Sequence, residues 1–88
     1  MIEHHVEIRN ELGLHARPAQ LLVRTASKFR SDIVFSKDSV EVNGKSIMGV
    51  MMLAAECGST LVIRAEGVDE REAVPELVAL VEGKFGEA

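Results

Sequence analysis

Residues 2–29 read Ile-Glu-His-His-Val-Glu-Ile-Arg-Asn-Glu-Leu-Gly-Leu-His-Ala-Arg-Pro-Ala-Gln-Leu-Leu-Val-Arg-Thr-Ala-Ser-Lys-Phe, and the change of period within this stretch decides the fold. Ile2, His4, Val6 and Ile8 alternate with Glu3, His5 and Glu7, the period of a strand with one buried and one wetted face. Beyond Ala19 the apolar positions Leu22, Val23, Ala26 and Phe29 recur at intervals of three and four, which predicts a helix from about Ala16 to Lys28. Pro18 agrees with a start near His15, because a first helical turn has no use for the N–H that proline lacks.

Working outward, Ile33 to Ser36 and Ser39 to Val42 are β-prone arms of a hairpin that Lys37-Asp38 is expected to reverse, and Asn43-Gly44 ends the second arm. Ser46 precedes the apolar run Ile47 to Ala55 and is a candidate cap for a short helix, with Gly58 as its breaker. Thr60 to Glu66 alternates again and Gly67 closes it. Asp69 and Glu72 have the spacing of a capping box ahead of a last helix whose buried stripe is Ala73, Leu77, Leu80 and Val81. Pro75 conflicts with that helix and predicts a distorted first turn or a kink. The order strand, helix, strand, strand, helix, strand, helix predicts an α+β fold, an open-faced two-layer sandwich with an antiparallel sheet covered by helices on one face. Neither repeats nor linker composition appear, so residues 1–88 are expected to form a single domain.

Composition narrows the function. The 88 residues include 10 basic and 14 acidic side chains, for a formal charge of −4, with three Phe and no Trp or Tyr. No basic stripe interleaved with aromatics is available for nucleic acid. A chain this short leaves no room for a multi-lobed cleft, so an enzyme with a deep enclosed pocket is not expected. The single cysteine, Cys57, has no disulfide partner, and it and the scattered histidines lack the spacing of a metal site, so neither metal nor cofactor is expected. Neither a secretory signal nor the roughly 20 apolar residues of a membrane span is present, and a cytoplasmic location is the expectation.

Gly13-Leu14-His15-Ala16-Arg17-Pro18-Ala19 places an imidazole at a helix N-terminus. The first helical amides have no internal partners and lie at the positive end of the macrodipole, so an anion is favoured there. The same end disfavours imidazolium, which predicts a lowered pKa and a neutral, nucleophilic His15. Arg17 offers a guanidinium fork to phosphoryl oxygens. Covalent phosphoryl transfer onto a ring nitrogen is the chemistry implied, with Ala16 and Arg17 as phosphate-binding residues. On these residues alone, local packing of His15 beside a solvated Arg17 stays an alternative. Ile47, Met48, Val50, Met51, Met52 and Leu53 exceed what one buried helix face can use, so some must face solvent as an adaptable docking patch.

Leu12-Gly-Leu-His-Ala-Arg-Pro-Ala19 resembles the active-site motif of HPr, the histidine-containing phosphocarrier family of the bacterial sugar phosphotransferase system, and Lys45-Ser-Ile-Met-Gly-Val-Met51 resembles its second motif. With length and element order, the likeness spans essentially the whole chain. It implies four antiparallel strands under three helices. It also implies phosphorylation of His15 on Nδ1 by enzyme I at the expense of phosphoenolpyruvate, steadied by Arg17, and donation to sugar-specific enzyme IIA components. Around Ile47, Met48 and Met51, it brings Gln20, Arg24 and Ser27 into the partner interface. Ser46 stands in a context similar to members modified by an HPr kinase/phosphorylase, and a phosphate there would repel an acidic partner while the fold survives. The resemblance is to a stoichiometric relay without turnover chemistry of its own, and such a relay is expected to be monomeric. A binding module controlled at Ser46, or a nitrogen-related phosphorelay paralogue, are the competing readings. Leu12, where many members carry a small polar residue, together with Gly44 and Pro75, departs from the family pattern.

Overall fold

The computed structural model describes residues 1–87 and contains four strands and three α-helices in the order β1 (Ile2–Glu7), α1 (Ala16–Ala26), β2 (Asp32–Lys37), β3 (Val40–Asn43), α2 (Ile47–Met52), β4 (Thr60–Glu66) and α3 (Glu70–Glu82), with a 3₁₀ turn at Lys84–Gly86. The strands form one antiparallel sheet in the order β1-β4-β2-β3, so β4 and β2 are central and β1 and β3 are edges. The expected open-faced α+β sandwich is the architecture found.

The alternation read from β4 is the alternation observed: Leu61, Ile63 and Ala65 are fully buried beneath the helices. They meet Ile33 and Phe35 of β2, Ala19, Leu22 and Ala26 of α1, and Ala73, Val74, Leu77, Val78 and Val81 of α3. The opposite parity, including Glu3, Arg64 and Glu41, faces solvent, where Arg64 bonds Glu41 at 3.1 Å. On β1 only Val6 is buried, and Ile8 follows it beyond the strand. His4 pairs with Ile63 on the core side yet stays exposed at this sheet edge, and His5 points to the other face, where its Nε2 lies 3.0 Å from Glu3.

Four local expectations are corrected. The hairpin reverses at Asp38-Ser39, one residue later than Lys37-Asp38, with φ of 50° and 71°. Positive φ at both central residues is the two-residue turn whose handedness matches strand twist, and burial of Ile33 and Phe35 sets the register that puts Lys37 opposite Val40. Helix α2 ends at Met52, with Ala54 at φ 48° turning the chain, well before Gly58. Asp69 caps nothing: its carboxylate accepts instead from the backbone N–H of Arg30 and Ser31 and the Ser31 hydroxyl, while Glu70 reaches back to accept from the Gly67 N–H at 3.0 Å. Finally, α3 runs unbroken through Pro75, which sits on the exposed side.

The first helix ends by tightening, with Lys28 N–H donating to Thr25 and Phe29 N–H to Ala26. Gly44 has a packing reason: a Cβ there would lie 2.6 Å from the Ile33 side chain. Phe85, an aromatic between two glycines with no periodic signal, adds to the core at φ 54°. Among the described residues no helix is long and apolar enough to cross a membrane.

Candidate functional site

The loop between β1 and α1 is held against the loop before β4. Leu14 N–H donates to the Ala55 carbonyl at 2.8 Å, and Gly13 permits the approach: at φ +67° any Cβ would lie 2.5 Å from that carbonyl oxygen. Leu14 is buried, so the next residue, His15, is delivered to the rim of the core at the N-cap of α1.

His15 has extended backbone, φ −81° and ψ −172°, and its side chain does not cap the helix. Its carbonyl accepts the Ala19 N–H at 3.0 Å, and Pro18 has no N–H. The amides that helix geometry leaves without an internal partner are therefore those of Ala16 and Arg17, directly beside the imidazole. Arg17 is exposed.

The imidazole is approached from the other end of the chain. Its Nε2 lies 3.0 and 3.1 Å from the two carboxylate oxygens of Glu87. That carboxylate also accepts from Asn10 Nδ2 at 3.0 Å. The bond from His15 first, opposed by burial, and then the bond from Asn10 and the nearby Arg17 charge hold the Glu87 carboxyl below the usual carboxylate range. A carboxylate can only accept, so Nε2 carries the donated hydrogen, and in the neutral ring that arrangement leaves the lone pair on Nδ1. Sequence reasoning weighed the helix end alone at His15 and missed Asn10 and Glu87. Asn10 carried no pattern, and Glu87 lies 72 residues away. An acidic residue just past the core-seeking Phe85 was the one signal available.

The second predicted patch adjoins the first. Only Val50 of α2 is fully buried; Ile47 is half-buried, while Met48 and Met52 are about three-quarters exposed and Met51 is exposed at 45%. Arg17, Gln20, Arg24 and Ser27 are all exposed and follow one another at three- and four-residue steps, a single stripe along α1. Helices α1 and α2 pack against each other, so the stripe and the methionines lie on neighbouring elements. Ser46 is the N-cap of α2, its Oγ accepting the Gly49 N–H at 3.1 Å. Leu12, in the loop before His15, is also exposed. A concavity between Asp32, Val34, Glu41 and Lys45 involves none of these residues. Cys57 is exposed, with its thiol 3.7 Å from the Arg9 carbonyl oxygen.

Fold and site together define a small open-faced carrier-type domain that presents a histidine at a helix start instead of enclosing a substrate. Residues 2–83 match the family model described as PTS HPr component phosphorylation site. The chain is 47% identical over 87 residues to the phosphocarrier protein HPr of Neisseria meningitidis, covering 99% of this chain and 98% of that one. It is 49% identical over 82 residues to the HPr-like protein Crh of Halalkalibacterium halodurans, covering 93% and 98%. The solved HPr of Thermoanaerobacter tengcongensis superposes with a TM-score of 0.96 at 55% identity over 100% of this chain and 99% of that one; a dimer form of it gives 0.79 over 99% and 100%. The chain belongs to the HPr family, the phosphocarriers of the phosphotransferase system.

Proposed function

We propose that His15 is the phosphoryl acceptor, taking the group from phospho-enzyme I and passing it to sugar-specific enzyme IIA components. The observation that carries this is the free Nδ1 of an imidazole whose Nε2 is held by Glu87, set beside the amides of Ala16 and Arg17 at the start of α1. In the forward step the Nδ1 lone pair forms the N–P bond as the donor's bond to phosphorus breaks and its electron pair leaves with the donor. Negative charge on the transferring group is met by the two amides, the helix dipole and the Arg17 guanidinium, so position and electrostatics do the catalysis. The phosphorylated protein is a consumed and regenerated carrier, without a turnover reaction of its own.

Gln20, Arg24, Ser27, Ile47, Met48 and Met51 form the docking surface for both partners in turn. Adaptable methionines suit a surface that meets more than one protein. One domain spanning residues 1–88, acting as a cytoplasmic monomer that leaves this surface open, completes the reading. Phosphorylation of Ser46 by an HPr kinase/phosphorylase adds a charge of about −2 at the edge of the same surface and turns docking off.

Incubation with enzyme I, phosphoenolpyruvate and Mg²⁺, followed by intact-protein mass, is the test. One acid-labile phosphate is expected on the wild type and none on His15→Ala. Labelling of the variant on another histidine would overturn the assignment. A second reading, a binding module switched at Ser46, is favoured by the position of that serine next to exposed Met48. It predicts partner loss in Ser46→Ala with His15→Ala neutral.

A further inference from the structure

The chain Gly13 carbonyl, Asn10 amide, Glu87 carboxylate and His15 imidazole is continuous, and both of its ends lie in the β1–α1 loop. Asn10 is fully buried and spends both Nδ2 hydrogens, one on the Gly13 oxygen at 2.8 Å and one on Glu87 at 3.0 Å. The Gly13 carbonyl also accepts the His15 N–H at 3.0 Å, so one peptide group references both the ring's backbone and the amide that orients its carboxylate. This orientation leaves Asn10 Oδ1 buried without a partner, the one such side-chain atom among the described residues. Two acceptors are served at the expense of one orphan, which fixes the amide's direction. On the far side, Phe85 is buried and the bonds from Gly86 N–H to Gly83 and Glu87 N–H to Lys84 fold the segment so that Glu87 reaches the ring.

We infer that Asn10 and Glu87 are positioning residues for the relay: they hold His15 as the Nε2–H tautomer before transfer and balance the ring's positive charge after it. The inference deepens, and rests on, the reading of His15 as the acceptor. Attack by Nδ1 forms the N–P bond and leaves a phosphoimidazolium whose Nε2–H stays where it was, facing a carboxylate. When the group moves on, the N–P bond breaks, its electron pair returns to Nδ1 and the ring is neutral again with the same proton on Nε2. Neither direction moves a proton, so no separate acid or base is required. Among the described residues, Asn10 from the loop, Arg17 from α1 and Glu87 itself face the ring and its partner, and of these Glu87 carries the negative charge. Its carboxyl is held ionised by the bonds it accepts.

The test compares wild type, Glu87→Gln and Glu87→Ala. Nitrogen-15 spectra of the His15 ring should show Nε2–H in the wild type and a rising share of Nδ1–H in Glu87→Ala. Phosphorylation by enzyme I should slow by about tenfold in both variants. Hydrolysis of phosphorylated His15, which is faster with Nε2 protonated, should fall off about one pH unit lower in Glu87→Gln than in the wild type, because the opposite charge has gone. Unchanged tautomer, rate and pH profile, with His15 still labelled, would overturn the inference and leave the carrier reading standing. A loss of melting temperature with the profile unmoved would also overturn it, since that is the mark of a structural role. Wild-type protein that takes no label would sink the carrier reading, and the inference with it.

Discussion

At the scale of single residues, the chemistry read from local sequence and the contacts observed meet most closely at Ser46 and His15. Ser46 was legible because a cap is a three-residue affair: its Oγ accepts from Gly49 N–H within the same turn. Removing that bond leaves a helix amide unsatisfied, so Ser46→Ala should lower unfolding free energy by about 1 kcal/mol, read as a lower midpoint in urea with an unchanged slope. A folded Ser46→Ala protein would then serve as the control in tests of Ser46 phosphorylation. His15 was legible for the same local reason, a ring set at a helix start. Its Glu87 partner was not, because nothing in either neighbourhood requires the other. Asp69 shows the opposite case, in which a plausible local role as a cap yields to a distant one on Ser31.

Among elements, β4 and α1 followed their sequence patterns and α3 held the surprise. Strand β4 was bounded correctly at Thr60 and Glu66, because strict alternation between a core and an open face leaves one register that buries Leu61, Ile63 and Ala65. The hairpin slipped by a residue because two-residue reversals depend on backbone handedness, and Asp38 and Ser39 adopt it without the glycine that would have marked the site. Pro75 was expected to distort the first turn of α3 or to kink the helix. The helix continues because Ala73, Val74, Leu77 and Val78 on both sides of it are buried, and that burial outweighs one missing backbone bond at an exposed position. Proline is about 3 kcal/mol worse than alanine inside a helix, while its stiffness in the unfolded chain returns part of this. Pro75→Ala should therefore stabilise the protein by about 1 to 2 kcal/mol in urea unfolding. An unchanged or lower stability would mean that the proline's φ constraint matters more than the bond it lacks.

Over the whole molecule, stability is shared between the apolar layer and a few polar cross-ties, among them Asp69 with Ser31 and Arg30. The tie joins the loop before β2 to the start of α3 across 38 residues. The Ser31 hydroxyl first, and then the Arg30 N–H, hold the Asp69 carboxyl at about 2. A free aspartate titrates near ~3.9, so the folded state binds this proton more weakly than the unfolded state. The stabilisation is thus fully present above about pH 4 and is lost as pH falls from there toward 2. Urea midpoints measured from pH 5 down to 2 should decline, and the decline should be shallower in Asp69→Asn and in Ser31→Ala. Equal slopes in the wild type and both variants would show that other carboxylates govern the acid limb.

By itself the sequence determined the element order, the α+β class, the buried face of β4 and the helix start that carries His15, because each of these follows from residues within a turn or two of one another. The tertiary structure alone decided that Glu87 meets His15, that Asn10 orients Glu87, that Asp69 clasps Ser31 and that Phe85 enters the core. These contacts join positions tens of residues apart. Only the closing of the sheet in the order β1-β4-β2-β3 and the docking of α3 across it bring them within hydrogen-bonding distance, and no local period encodes that meeting.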